Sequence, residues 1–173
     1  MKKSAYSLPF LLLLGVAALF VRQTSRDLPP LVATHFGAGG AANGFMSREF
    51  YLRFMLAFVV LLPWLVNFAF ERILRSPNAR INLPNRDHWL ADGQREQTIE
   101  FLLRHMKFFG VMLAAFLCVV HALVVSANSV LPPALDNVRF GAGLGAYLLT
   151  LVVWIVALRR RFRRAGPVAG ATP

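Results

Sequence analysis

Residues 108–127 read Phe-Phe-Gly-Val-Met-Leu-Ala-Ala-Phe-Leu-Cys-Val-Val-His-Ala-Leu-Val-Val-Ser-Ala, and this stretch decides the fold. It holds twenty residues without one Asp, Glu, Lys or Arg. A helix of that length rises about 30 Å, the thickness of a bilayer's hydrocarbon core. It is apolar on all sides, so it has no face to turn to water. Three further runs behave alike: Ala5–Val21, Tyr51–Phe70 and Phe140–Leu158. The chain as a whole is 57% hydrophobic and 16% charged, with a mean hydropathy of +0.54. A water-soluble domain of this size needs more polar surface than that. The expected class is all-α: a polytopic membrane protein of one domain, residues 1–173, with four transmembrane helices at about 5–21, 51–70, 108–127 and 140–158. An outer loop (22–50) and a cytoplasmic loop (71–107) carrying an amphipathic segment complete it.

Orientation follows from the basic residues. Lys2, Lys3, the seven of the middle loop (Arg72 to Lys107) and the tail Arg159, Arg160, Arg161, Arg163 and Arg164 make fourteen of the nineteen Lys and Arg. Only Arg22, Arg26, Arg48, Arg53 and Arg139 fall on the other side. The positive-inside rule then places both termini in the cytoplasm of a multi-pass protein of the cell membrane. The net charge of +11 and pI near 11.4 would suggest nucleic acid in a soluble domain. Here the charge sits beside membrane ends, so the expected partner is the lipid bilayer, with no nucleic acid. The Lys-Lys start and first apolar run are compatible with a signal peptide, but no A-x-A site follows Val21, and a retained anchor is expected.

Catalytic and cofactor signatures are absent. Cys118 is the single cysteine and lies inside an apolar run, so it reads as a packing residue. No phosphate loop, zinc-protease or hydrolase motif occurs, and no metal or cofactor is expected.

The helices carry packing signals. Gly141 and Gly145 form a small-xxx-small pair, repeated by Ala142 and Ala146, and mark close helix contact within the bundle, or alternatively a dimer face with a homo-oligomer or membrane partner. Pro63 should distort the second run, and Asn67 one turn on either satisfies a freed group or marks a polar patch. Glu71 and Arg75 have the spacing of a helical ion pair. Ile99, Leu102, Leu103 and Met106 recur as an amphipathic helix with Asp92 as its N-cap.

The outer loop reads Leu28-Pro-Pro-Leu-Val-Ala-Thr-His-Phe, a glycine-rich stretch from Gly37, then Asn43-Gly-Phe-Met-Ser-Arg. This pattern resembles the domain of unknown function numbered 1648, which forms the N-terminal part of SdpI-like membrane proteins. Ile81-Asn-Leu-Pro-Asn-Arg-Asp-His-Trp-Leu resembles a motif of small relatives. The resemblance covers roughly residues 8–127 and implies a bacterial inner-membrane protein without assigned activity, with immunity or signalling roles in a subset. Gly37 and Asn43 depart from the Asn and Asp usual at those positions, and the longer C-terminal half of SdpI-like proteins is lacking.

Candidate binding residues are Thr34, His35, Asn43 and Ser47 in the loop and His121 in the third run. His121 lies 14 residues beyond Lys107, about 21 Å along a helix, on the same side as His35. An ionisable group in a membrane segment is a site by default; the alternative, preferred over a metal, is that His35 bonds the loop backbone and a neutral His121 joins helices through one hydrogen bond. Leu28, Leu31, Val32, Phe36, Phe45 and Met46 are too apolar to leave in water, so the loop is expected to dock on the bundle, with His35 as its polar anchor and His121 as partner. Three functions stay open: a non-catalytic protein acting through its outer loop, in signalling or immunity; a small transporter, although the membrane runs lack an acidic residue; and a metal-binding protein using His35 and His121.

Overall fold

The computed structural model of the protein describes residues 8–76 and 79–163. The expected start of the first helix at Ala5, Lys2, Lys3 and Arg164 lie outside those residues. The chain is mostly helical. Its elements are α1 (Leu8–Thr24), β1 (Leu31–Phe36), β2 (Ala42–Ser47), α2 (Arg48–Leu56), a π-helical turn (Ala57–Leu61), α3 (Leu62–Leu74), α4 (Arg86–Trp89), α5 (Arg95–Ala127) and α6 (Asn137–Arg163). From Arg48 to Leu74 the chain is one continuous rod. Among the described residues, that rod, α5 and α6 are the three helices long and apolar enough to cross a membrane; α1 is shorter, at 17 described residues.

Local chemistry explains the joints. Ser47 caps α2, accepting the Phe50 N–H at 3.3 Å. Pro63 has no N–H, and just before it the helix widens so that the Leu62 N–H reaches the Ala57 carbonyl, a π-type bond. The Asn67 side chain donates to the Pro63 carbonyl at 2.9 Å. Glu71 and Arg75 pair at 3.0 Å, and Arg75 also reaches Glu100 on α5 at 3.0 Å. Asp136 caps α6 through the N–H groups of Val138 and Arg139.

Three expectations change. The outer loop is not irregular: residues 31–47 form an antiparallel hairpin, so the fold is not purely α. Leu31–Phe36 and Ala42–Ser47 supply the strand residues, and the glycines supply the turn. Gly40 has φ +81°, and a Cβ there would lie 2.5 Å from the Leu135 carbonyl oxygen. Asn43-Gly44 lies within β2 rather than at the tip, and Gly44 gives the His35 side chain room to cross over it. Secondly, α5 begins at Arg95 with Gln94 at its cap position, because Gly93 in a left-handed turn (φ +88°) separates Asp92 from the helix. The amphipathic residues Ile99, Leu102, Leu103 and Met106 are all buried, and their helix runs straight on through Ala127. Thirdly, the close-contact glycines differ. Among the described residues a Cβ at Gly141 or Gly145 meets nothing within 4 Å, so this pair marks no close helix approach there. The tight approaches are at Gly110, whose Cβ would collide with Asn67 of α3 and the Phe10 ring of α1, and at Gly143, 3.2 Å from a Val119 methyl.

Three apolar clusters follow one another along the bundle. Val21, Val32, Tyr51, Met55 and Val59 fill the hairpin end; Phe10, Leu14 and Ala114 the middle; Leu74, Trp89, Ile99, Leu103 and Phe162 the opposite end. None of the most apolar stretch of α6 is buried by the rest of the chain. Leu149, Val152 and Val153 stand exposed along it, a surface suited to lipid.

Candidate functional site

Three helices converge on His121, which is 0% exposed. Its Nδ1 lies 2.8 Å from the Tyr51 hydroxyl of α2 and its Nε2 lies 2.7 Å from the Thr24 hydroxyl of α1. Thr24 in turn donates to the Phe20 carbonyl at 2.8 Å. One proton arrangement satisfies every donor: Tyr51 O–H to Nδ1, Nε2–H to Thr24 Oγ1, and Thr24 O–H to Phe20. This is a neutral imidazole held through both nitrogens, with the Phe20 ring edge 5.7 Å away. A buried polar group left unbonded costs about 1–3 kcal/mol, so the three side chains specify one registry of α1, α2 and α5. Beside them, the Ser25 hydroxyl is buried and has no hydrogen-bond partner among the described residues.

The hairpin docks directly above. Val32 and Ala33 are fully buried against this end. The polar anchor is Asn128, at the C-terminus of α5. Its amide accepts the Ala33 N–H at 2.8 Å and donates to the Ala33 carbonyl at 2.9 Å, as a paired strand would. The α5–α6 connection grips the far side of the hairpin: Leu135 N–H donates to Gly40, Ala42 N–H to Pro133, and the Asn137 amide to Ala38. Arg48 ties the α1–β1 turn through the carbonyls of Arg26 and Leu28.

The predicted residues thus separate. His35 is exposed on β1, and its Nδ1–H donates to the Asn43 side-chain oxygen across the hairpin. Thr34 is half-buried on β1, and Ser47 is a helix cap. His121 belongs to the buried cluster. No hydrogen bond joins His35 to His121, so neither the expected anchor nor a shared metal pair is formed. Burial decides this. His121 sits inside the bundle with both nitrogens used, while β1 docks through its buried residues Val32 and Ala33 and leaves His35 exposed. Among the described residues, no group of three or more His, Cys, Asp or Glu side chains could hold a metal ion. Thr24 and Asn128 escaped the sequence reading, and Tyr51 reads there only as a membrane-interface anchor. Their only signal was a polar group at each end of an apolar run, which ordinary capping explains equally well. No family model, no curated protein and no solved structure matches this chain.

Proposed function

We propose that this chain is a non-catalytic, four-pass protein of the cell membrane, with both termini in the cytoplasm, that presents the 31–47 hairpin on its outer face as a rigid recognition element. α1 (Leu8–Thr24) serves as the fourth span. The role is of the signalling or immunity type implied by the SdpI-like resemblance of the hairpin sequence. The observation that carries the reading is how the hairpin is held. β1 is locked by the buried Val32 and Ala33 and by Asn128, while Leu31 (60% exposed), Phe45 (50%) and the His35–Asn43 pair are exposed. A preformed surface of this kind binds a partner without an ordering cost. The saturated hydrogen bonds of His121 speak against a metal function. The exposed faces of Gly141 and Gly145 leave α6 free for a second copy or another membrane helix.

Two experiments test this. Reporter fusions at Gly40 and after Arg164 should report opposite compartments; a cytoplasmic signal at Gly40 would overturn the topology. A photo-crosslinking residue at position 45, in native membranes, should give a discrete protein adduct that the same residue at lipid-facing position 149 does not. If both positions label lipid alone, the hairpin is not a recognition element.

A further inference from the structure

At the end of the bundle opposite the hairpin, the last turn of α6 carries Arg159, Arg160, Arg161 and Arg163, all exposed. One of them is not merely solvated. The Arg161 guanidinium lies 5.0 Å from the centre of the Trp89 ring and 5.5 Å from that of Phe101. Trp89 is itself fixed: its indole N–H donates to the Phe162 carbonyl at 3.0 Å, and its own carbonyl accepts from Thr98 at 2.8 Å. Arg161 is therefore biased towards the two rings while it stays exposed to solvent. It forms no ion pair with any carboxylate among the described residues. Beside it opens a cavity of about 30 Å³, lined by Arg161, Gln94, Gln97, Thr98 and the Trp89 and Phe162 rings. That volume takes about two water-sized groups, such as two phosphate oxygens. The lining offers a guanidinium and two side-chain amides, and no carboxylate. Neither Gln94 nor Gln97 uses its side-chain amide in a hydrogen bond within the described chain.

We infer that this cavity binds the headgroup phosphate of an anionic phospholipid. Guanidinium recognises phosphate through paired N–H donors, and the aromatic rings hold its plane in position. The source is lipid rather than a free anion because of level: Arg161 follows directly on the apolar stretch that ends at Leu158, where the phosphates of a bilayer lie. The inference rests on α6 crossing a membrane.

The test uses the full chain in phosphatidylcholine nanodiscs containing a minority of phosphatidylglycerol. Retained lipid is counted by native mass spectrometry after detergent release. The wild type should keep phosphatidylglycerol. Arg161→Gln should weaken its retention by about tenfold, the loss of one paired guanidinium contact, whereas Arg160→Gln, outside the cavity, should not. Gln97→Glu provides a second variant that leaves the Trp89–Arg161 stack intact; its carboxylate should repel the phosphate and pair with Arg161, with similar loss. Equal loss in Arg160→Gln and Arg161→Gln would reduce the site to a diffuse basic surface and overturn the proposal. So would thermal stabilisation of the lipid-free protein by inorganic phosphate equal to that by phosphatidylglycerol, since the ligand would then be a free anion. Failure of α6 to cross the membrane would instead show as the same compartment for reporter fusions at Gly40 and after Arg164, which separates failure of the membrane reading from failure of the lipid site.

Discussion

The two ends of the bundle solve one problem in opposite ways. Each must tie a connecting segment to helices that lack polar surface. At the hairpin end the ties are neutral and closed: Tyr51, His121 and Thr24 satisfy one another, and Asn128 completes the edge of β1 at Ala33. At the basic end they are aromatic and open. Trp89 and Asn85 reach the last carbonyls of α6, Phe162 is packed beneath them, and Arg161 rests on two rings. Neutral saturated groups are insensitive to salt and have little left to offer a ligand. Charged groups on aromatic platforms keep donors in reserve.

The sharpest way to break this comparison is Phe162→Ala. Phe162 is 1% exposed, and truncating such a ring costs about 3–5 kcal/mol. Thermal unfolding in mild detergent should show a large loss, while resistance of the hairpin to added protease stays at the wild-type level. A hairpin that becomes sensitive would mean that the two ends are one cooperative unit.

Next in size is the buried cluster. His121→Ala leaves the Tyr51 hydroxyl without its acceptor, while Thr24 keeps its bond to the Phe20 carbonyl, and should cost roughly 2–4 kcal/mol with the cavity included. Tyr51→Phe should cost about 1–2 kcal/mol. The double variant should be less destabilised than the sum, by about 0.5–2 kcal/mol, because both remove one hydrogen bond. Strict additivity would show that the histidine and tyrosine are energetically unlinked.

Smaller effects separate the actual anchor of the hairpin from the expected one. Asn128→Ala strands the N–H and carbonyl of Ala33 and should cost about 1–3 kcal/mol, with faster cleavage near Gly39. His35→Ala removes an exposed side chain and should stay within about 0.5 kcal/mol. If the order is reversed, the docking geometry is wrong. In combination, His35→Ala and His121→Ala should be additive.

A similar contrast holds within α6. Gly143→Leu presses on Val119 and should cost about 1–3 kcal/mol by overpacking. Gly145→Leu meets open space and should leave the monomer within about 0.5 kcal/mol of wild type. A shift of an oligomer to monomer in Gly145→Leu alone would identify this face as the contact with a second copy.

Much of this was legible beforehand, and the reason is instructive. Helices made of twenty apolar residues declare themselves, because length and hydropathy are local properties. So are the amphipathic continuation at Ile99–Met106, the Glu71–Arg75 spacing, and the disturbance at Pro63 with Asn67 one turn on. The hairpin was half legible. Leu31–Phe36, a glycine-rich turn and Phe45-Met46 make a strand–turn–strand signal, which reading the segment as a membrane loop concealed.

What the sequence determined by itself is therefore the set of rods, their apolar surfaces and the lopsided distribution of charge, each a sum over neighbouring residues. Only the tertiary structure decided which polar atoms meet. His121 joins Thr24 and Tyr51, 97 and 70 positions away, and Asn128 joins Ala33, 95 away. Gly110, unremarked in the chain, becomes the close contact, while the conspicuous Gly141 and Gly145 face outwards. Rotation of a helix about its own axis sets these partners. An almost uniformly apolar helix barely encodes that rotation in its own residues, so the few polar side chains of its neighbours fix it.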